Sequence, residues 1–174
     1  MTAASSVRHP FGFSAAVILV TVVLDQAVKA LVVAKMELGS AIELLPFFAL
    51  LHARNEGIAF SMFSGLEDWG LALLALAVLC FVGWLWWKTP AERKWSHLAF
   101  ALIVGGAIGN LIDRVRLGYV VDYFFFHTPV FTFAVFNLAD AFITIGAGLL
   151  ILDEFVVAQR EKKAAAAGEK RAAD

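Results

Sequence analysis

Two aspartates have the residue type and the setting to carry chemistry: Asp122, in the segment GYVVDY, and Asp140, in the segment FNLADA. Two carboxylates held together in a low-dielectric site do not both ionise easily, so one pKa rises and the pair shares a proton. The ionised member can then deprotonate a water while the protonated member polarises a scissile carbonyl, which is the aspartic-protease arrangement. The residues alone do not decide between this interpretation and a second one, in which each aspartate is a lone structural or proton-relay carboxylate.

Asp25 and Lys29 stand four residues apart in the segment LDQAVK, so they share one face of a helix and can neutralise each other. Ionisable side chains inside an apolar span are costly and therefore suggest a function. For this pair we favour an ion pair that fixes helix packing over a role in contacting substrate or orienting a site.

The segment GGAIGNLIDR combines a packing signal with a polar face. Gly105 and Gly109 form a small-xxx-small pair that lets another helix approach closely. Asn110, Asp113 and Arg114 follow on one face, where hydrogen bonds and an ion pair are feasible. Because Arg114 cannot act as a base and can keep Asp113 ionised, we favour a scaffolding role for this face.

Weaker signals come from Asn55 and Gly57, an amide and a flexible turn in the segment RNEGIAFSMF, and from Asn137, an amide beside Asp140. The four histidines are scattered without the spacing of metal ligands: His9, His52, His97 and His127. The single cysteine, Cys80, excludes an intramolecular disulfide. We therefore expect neither a metal nor a cofactor.

The composition indicates that these residues are carried by a membrane protein. Of 174 residues, 61% are hydrophobic and 17% charged, whereas a soluble domain has about 25% charged and about 45–50% apolar residues. The net charge of −1 gives no reason to expect a nucleic-acid partner. We predict one membrane domain over residues 1–160 and a disordered cytoplasmic tail over residues 161–174, which begins as a fraying helix.

Four windows are long and apolar enough to cross a bilayer, which needs about 20 such residues per helix: about 11–33, 69–87, 95–115 and 133–156. The first lacks a clear small-residue cleavage site, so we predict a retained helix and not a cleaved signal peptide. The fold class predicted is thus an all-α membrane protein with four transmembrane helices.

Basic residues set the orientation, because cytoplasmic segments carry an excess of lysine and arginine. They concentrate before the first window, between the second and third, and after the fourth: Arg8; Lys88, Arg93 and Lys94; Arg160, Lys162, Lys163, Lys170 and Arg171. Both termini are therefore predicted to be cytoplasmic. The two opposite segments are rich in aromatic and β-branched residues around 41–63 and 118–133, which favours short strands on the membrane surface.

This topology puts the ionisable and amide residues considered above in the outer third of the bilayer or just above it, with Asp25 about 12 Å deep at 1.5 Å per residue. Such clustering predicts one site near the outer surface. A proton-coupled transporter would need polar residues in the inner half as well, where the windows are bare. A scaffold without enzymatic activity, whose polar clusters only join helices, is the other alternative.

The chain resembles the lipoprotein signal peptidases, the signal peptidase II family, over about residues 13–157. Five blocks occur in the family's order: LDQAVK at 24–29, RNEGIAFSMF at 54–63, GGAIGNLIDR at 105–114, GYVVDY at 118–123 and FNLADA at 136–141. Each block alone is weak, but five in sequence within a protein of this size and number of spans are specific.

The resemblance implies that Asp122 and Asp140 are the catalytic pair of an aspartic endopeptidase. It implies structural or substrate-contact roles for eight further residues: Asp25, Lys29, Asn55, Gly57, Asn110, Asp113, Arg114 and Asn137. It also implies a sheet-like cradle at the outer surface over about residues 37–65. The implied reaction is hydrolysis of the bond before a diacylglyceryl-modified cysteine, at the outer leaflet of the bacterial inner membrane. Prolipoproteins and membrane lipid are the implied partners of a monomer.

Overall fold

The computed structural model describes residues 11–57 and 69–173, which form four helices and one small sheet. In chain order the elements are α1 (Phe11–Lys35), β1 (Ala41–Leu45), β2 (Phe48–Asn55), α2 (Trp69–Trp87), α3 (Lys94–Leu117), β3 (Val120–Thr128), β4 (Phe131–Thr132) and α4 (Leu138–Ala173).

Three helices are long and apolar enough to cross a bilayer, through the stretches Gly12–Lys35, Lys94–Leu117 and Leu138–Ala167. The second helix contributes a shorter apolar stretch, Leu73–Trp87, in the part of the chain that the structure covers. A chain with several such helices is a multi-pass membrane protein, as predicted. The bounds of α1, α2 and α3 fall within two residues of the predicted windows.

Helix α3 packs between α1 and α4 through glycines that allow close approach. A β-carbon at Gly105 would lie 2.8 Å from Thr21 of α1, and one at Gly109 would lie 2.5 Å from the Asp25 carboxylate. On the opposite side, a β-carbon at Gly106 would collide with the backbone of Ala139 in α4. The small-xxx-small pair therefore packs as the sequence predicts, because apolar helices in lipid associate through such tight contacts.

The strands form one antiparallel sheet in the order β1-β2-β3-β4. Phe48 pairs with Phe126 at one end of the β2–β3 ladder, and Asn55 pairs with Val120 at the other. A small core of Val32, Met36, Val121 and Tyr123 joins the end of α1 to β3. Strands are thus confirmed in both aromatic segments. The sheet contains β3 and β4, from residues 120–132, in addition to β1 and β2 from the predicted cradle. Residues 58–65 of that cradle lie outside the described ranges.

Two predicted boundaries need correction. Helix α4 begins at Leu138 and not near residue 133, because Phe131 and Thr132 pair with β3 and Asn137 caps the helix. Residues 161–173, for which we predicted a fraying helix followed by disorder, continue the same helix as far as Ala173. Their alanine, lysine and glutamate are strong helix formers, which is the physical reason for the continuation.

Candidate active site

A buried ammonium group, that of Lys29, is the centre of the polar cluster in the helices. Its Nζ lies 2.9 Å from Asp25 Oδ2, 2.9 Å from Asp113 Oδ2 and 2.9 Å from Asn110 Oδ1. These three acceptors match the three N–H donors of a lysine. The predicted Asp25–Lys29 ion pair is therefore present, and it joins α1 to α3.

The ion pair that was feasible between Arg114 and Asp113 is not the one that Asp113 forms. Within residues 11–57 and 69–173, the carboxylate of Asp113 is paired with Lys29 and also accepts the Val121 N–H at 3.1 Å. Side chains at i and i+1 of a helix do not face each other, and among the described residues Arg114 forms no ion pair with Asp113. Its backbone carbonyl accepts the Gly118 N–H at the end of α3.

Sequence reasoning missed Gln26, although this amide stands in an apolar window beside Asp25. Its Nε2 lies 2.9 Å from Asp113 Oδ1 and 3.1 Å from the carbonyl of Gly109. It therefore ties α1 to α3 through a second contact next to the Lys29 ion pair. An amide one residue from a buried carboxylate was the signal that could have indicated this role.

The N-terminus of α4 receives side-chain acceptors from two other elements. The N–H of Leu138 donates to the Tyr123 hydroxyl of β3 at 3.1 Å, and the N–H of Ala139 donates to Asp25 Oδ1 of α1 at 3.0 Å. Helix N-termini otherwise leave such donors unsatisfied, so these contacts fix where α4 begins against the rest of the site.

Asn137 and Asp140 close this helix end with a reciprocal pair of hydrogen bonds. The Asp140 N–H donates to Asn137 Oδ1 at 3.0 Å, and the Asn137 N–H donates to Asp140 Oδ2 at 3.1 Å. This is the capping-box arrangement, with aspartate in the place of the usual glutamate or glutamine. The carboxylate of Asp140 is thereby held in the first turn, at the positive end of the helix dipole.

Two asparagine amides connect the carboxylates of Asp122 and Asp140. Asn137 Nδ2 donates to Asp122 Oδ1 at 2.7 Å and to Asn110 Oδ1 at 3.0 Å. Asn110 Nδ2 donates in turn to Asp140 Oδ1 at 2.7 Å. The two aspartates, which are 18 positions apart in sequence by their numbers, thus belong to one hydrogen-bonded unit.

Burial distinguishes the two carboxylates. Asp122 in β3 is only 2% exposed, whereas Asp140 is half-buried. Burial, and secondarily the negative charge of Asp140, raise the pKa of Asp122 to about 6. Hydrogen bonds from Asn137 and Asn55, together with the charge of Lys29, oppose that rise in pKa. A carboxyl group of this kind can exchange a proton near neutral pH.

Asn55 and Gly57 lie at the end of β2 that is nearest to Asp122, which is opposite Ala53 in the ladder. Asn55 Oδ1 accepts the Gly57 N–H at 3.0 Å. Gly57 has a φ of +74°, a conformation that side-chain-bearing residues rarely adopt. The turn therefore holds the Asn55 amide beside the Asp122 carboxylate. The rest of this block, residues 58–63, lies outside the described ranges.

All ten predicted site residues fall at the end of the helix bundle that carries the sheet. Nine of them contact one another or a shared neighbour, whereas Arg114 forms no ion pair with Asp113 in the part of the chain that the structure describes. In the described residues, no group of three or more histidine, cysteine, aspartate or glutamate side chains is placed to hold a metal ion.

Comparison with known proteins identifies the family. A family model described as signal peptidase (SPase) II matches residues 17–156. The chain is 56% identical over 155 residues to the lipoprotein signal peptidases of Brucella ovis and Brucella abortus, covering 89% of this chain and 97% of each relative.

Two solved structures have the same fold, each described as a bacterial membrane enzyme determined by the in meso method, at 1.9 Å and 2.3 Å. Their TM-scores are 0.75 and 0.73 at 30% sequence identity. The first match covers 81% of this chain and 91% of that one, and the second covers 83% and 88%. The resemblance seen in the sequence is confirmed: the chain belongs to the signal peptidase II family, the peptidases that remove signal peptides from lipoprotein precursors.

Proposed function

We propose that this protein is an aspartic endopeptidase in which Asp122 and Asp140 activate a water against the scissile bond. The observation that carries the proposal is the amide bridge between the two carboxylates, one buried and one half-buried. The bridge holds the pair in one geometry, and the partial exposure of Asp140 leaves it a route to water and substrate. Preorganisation of this kind is a main source of catalysis.

The reaction needs only the two carboxyl groups and one water. The ionised aspartate takes a proton from the water while its oxygen bonds to the carbonyl carbon, and the protonated aspartate gives its proton to the carbonyl oxygen. In the second step the nitrogen accepts the proton taken from water as the C–N bond breaks. The gem-diol returns a proton to the other aspartate, so that a new carboxylic acid and a free amine leave and the pair is restored.

The substrate that we propose is a prolipoprotein, cut before its diacylglyceryl-modified cysteine. The family supplies the substrate class, and the position of the pair supports the site of cleavage. Asp140 is in the first turn of a span, and Asp122 lies in β3, whose Tyr123 contacts the start of that span. A cysteine whose acyl chains remain in the adjacent leaflet presents its peptide bond at that depth, which raises the local concentration of the scissile bond.

We further propose four spans, with the apolar α2 as the second, and both termini in the cytoplasm of a bacterium. The basic segments support this orientation. At the bundle end opposite the site, Arg93 pairs with Asp153 at 2.8 Å and with Glu154 at 2.7 Å. Charged clusters at a helix end are typical of a membrane boundary. The site then lies at the outer leaflet of the inner membrane, and the working form that we propose is a monomer.

The proposed function is tested by cleavage of a diacylglyceryl-modified precursor by purified protein in detergent or bilayer. Asp122→Asn and Asp140→Asn should each lower turnover by about a thousandfold or more, because a pair that acts as a unit loses most of its catalysis with either member. Glu154→Gln is the matched control, since it makes the same carboxylate-to-amide change in α4 at an exposed position. Retention of more than about a tenth of wild-type turnover by either aspartate variant would contradict the assignment.

A further inference from the structure

The orientation of the Asn110 amide is fixed by a group that can only donate. Lys29 has three N–H donors and no acceptor, so the atom of Asn110 that faces it at 2.9 Å must be the oxygen. The NH₂ group of Asn110 therefore faces Asp140 Oδ1, 2.7 Å away. Asp140 receives this hydrogen bond whatever its own charge.

The Asn137 amide is fixed in the same way by a backbone donor. The Asp140 N–H points at one atom of the Asn137 amide from 3.0 Å, and that atom must be the oxygen. The NH₂ group of Asn137 then faces Asp122 Oδ1 and Asn110 Oδ1. The donors around the two aspartates are thus set by the protein and not by the protonation state of the pair.

The surroundings of the two carboxylates are unequal. Asp140 accepts a hydrogen bond on each oxygen, from Asn110 Nδ2 and from the Asn137 N–H, and lies at the positive end of α4. Asp122 has the amides of Asn137 and Asn55 as donors, but it lies in a strand, which has only a small dipole, and it is almost fully buried. Hydrogen bonds to the charged form and a helix dipole favour ionisation, and burial opposes it.

The charges around Asp122 agree with this asymmetry. Asp140 of α4 opposes its ionisation, and Lys29 of α1 favours it. Lys29 is already shared by the carboxylates of Asp25 and Asp113, each 2.9 Å from its Nζ. From β2, Arg54 is stacked 4.5 Å from the centre of the Tyr119 ring. The pKa of Asp122, raised to about 6, is in keeping with a carboxyl group that holds its proton longer than usual.

We propose that the two aspartates have fixed and different roles: Asp140 is the ionised base that deprotonates the water, and Asp122 is the acid that protonates the scissile carbonyl. This inference rests on the proposed function. In the first step the proton of water moves to Asp140 as the C–O bond forms, and the proton of Asp122 moves to the carbonyl oxygen. In the second step Asp140 gives its proton to the departing nitrogen, and Asp122 recovers one from the gem-diol.

The assignment predicts which limb of the pH–rate profile responds to loss of the Asn55 amide. Asn55 stabilises the ionised form of Asp122, so Asn55→Ala should let the acid keep its proton to higher pH. The alkaline limb of kcat/KM should then move upward by about half a pH unit to one unit, with the acidic limb fixed. Asn110→Ala removes a donor that positions Asp140, the base, and should lower kcat while leaving the alkaline limb where it is.

The experiment follows the cleavage of a diacylglyceryl-modified precursor by the purified full chain, from about pH 4 to about pH 9. Asn55→Ser, which can still donate a hydrogen bond, should return the alkaline limb toward its wild-type position. Glu43→Gln, an exposed change on β1, is the control and should leave both limbs unchanged. If Asn110→Ala does not fold, the Asn55 variants decide alone.

Movement of the acidic limb by Asn55→Ala, or movement of neither limb, overturns the assignment of roles. Failure of the proposed function has a different signature, because the wild-type chain would then leave the precursor uncut at every pH. Cleavage that survives Asp122→Asn and Asp140→Asn likewise counts against the pair itself. The two failures are therefore separable in one series of measurements.

Discussion

At the scale of single residues, Asp122 combines near-complete burial with an ionisable group, and this should make the protein sensitive to pH. Its folded pKa of about 6 lies above the ordinary value of 3.8. A raised folded pKa contributes stability that is fully present below the unfolded pKa and is lost as pH rises through the folded pKa. The window for this residue therefore runs from about pH 4 to about pH 6.

Asp122→Asn should remove this loss, because the amide cannot ionise. The free energy of unfolding of the variant, relative to that of wild type, should therefore increase when the pH is raised from about 4 to about 8. The increase should be up to roughly 3 kcal/mol, for a pKa shift of about two pH units. Thermal unfolding of both proteins in one detergent at the two pH values measures the difference. A stability difference that is the same at both pH values would contradict the cost of burying this carboxylate.

Ionisation of Asp122 destabilises the fold, whereas the charge of Lys29 stabilises it, because two buried carboxylates are paired with this ammonium group. Lys29→Met would leave Asp25 and Asp113 unpaired, and removing one partner from a buried ion pair costs about 3–5 kcal/mol. We expect a large fall in the melting temperature, and partial recovery when Asp113→Asn is added. Without such recovery in the double variant, the loss would have to come from packing and not from charge.

At the scale of secondary structure, the glycines of α3 should show how tightly the bundle is packed. Gly109→Ala would place a β-carbon 2.5 Å from the Asp25 carboxylate, so α1 must shift; overpacking of this kind costs about 1–3 kcal/mol. Gly148→Ala in α4 is the matched control, because its β-carbon would meet no atom within 4 Å. The control should be neutral or stabilise the helix by up to about 1 kcal/mol. Equal melting temperatures for the two variants would refute the close α1–α3 contact.

The helices could be predicted well because length and apolarity decide them, and these properties are local to each window. Clustering of the polar residues at one end of the bundle also followed from the sequence, once the direction of each span was set. The pairing of Asp113 with Lys29 did not follow, because it depends on how α1 is rotated against α3. The start of α4 was missed for a similar reason: Phe131 is apolar, and only its pairing with β3 shows that it belongs to the sheet.

At the scale of the whole molecule, the proposed orientation can be tested with an impermeant thiol reagent. Glu37→Cys, just after α1, and Ala166→Cys, in the extension of α4, are both exposed positions. In a Cys80→Ala background, intact spheroplasts should label position 37 and leave position 166 unlabelled until the membrane is permeabilised, because cytoplasmic ends carry the basic segments. The reverse pattern would place the site on the inner face.

The acyl chains of the substrate should matter at this scale as well, because they set the depth of the scissile bond relative to the site. A precursor with an unmodified cysteine should be cut about a hundredfold more slowly than its diacylglyceryl form, on the basis of effective concentration. Matched precursors in the same detergent or bilayer provide the comparison, and a precursor lipidated but altered in its signal sequence is the control. Equal rates would show that the lipid plays no part in selection.

The hydrogen bonds that join the start of α4 to β3 and α1 determine when the site can form during synthesis of the chain. The acceptors for Leu138 and Ala139, Tyr123 and Asp25, belong to elements that are synthesised earlier. Asp140 is brought to Asp122 only when the last helix joins those elements. On the proposed assignment of the two aspartates, a growing chain therefore carries no assembled active site until α4 has joined α1 and β3.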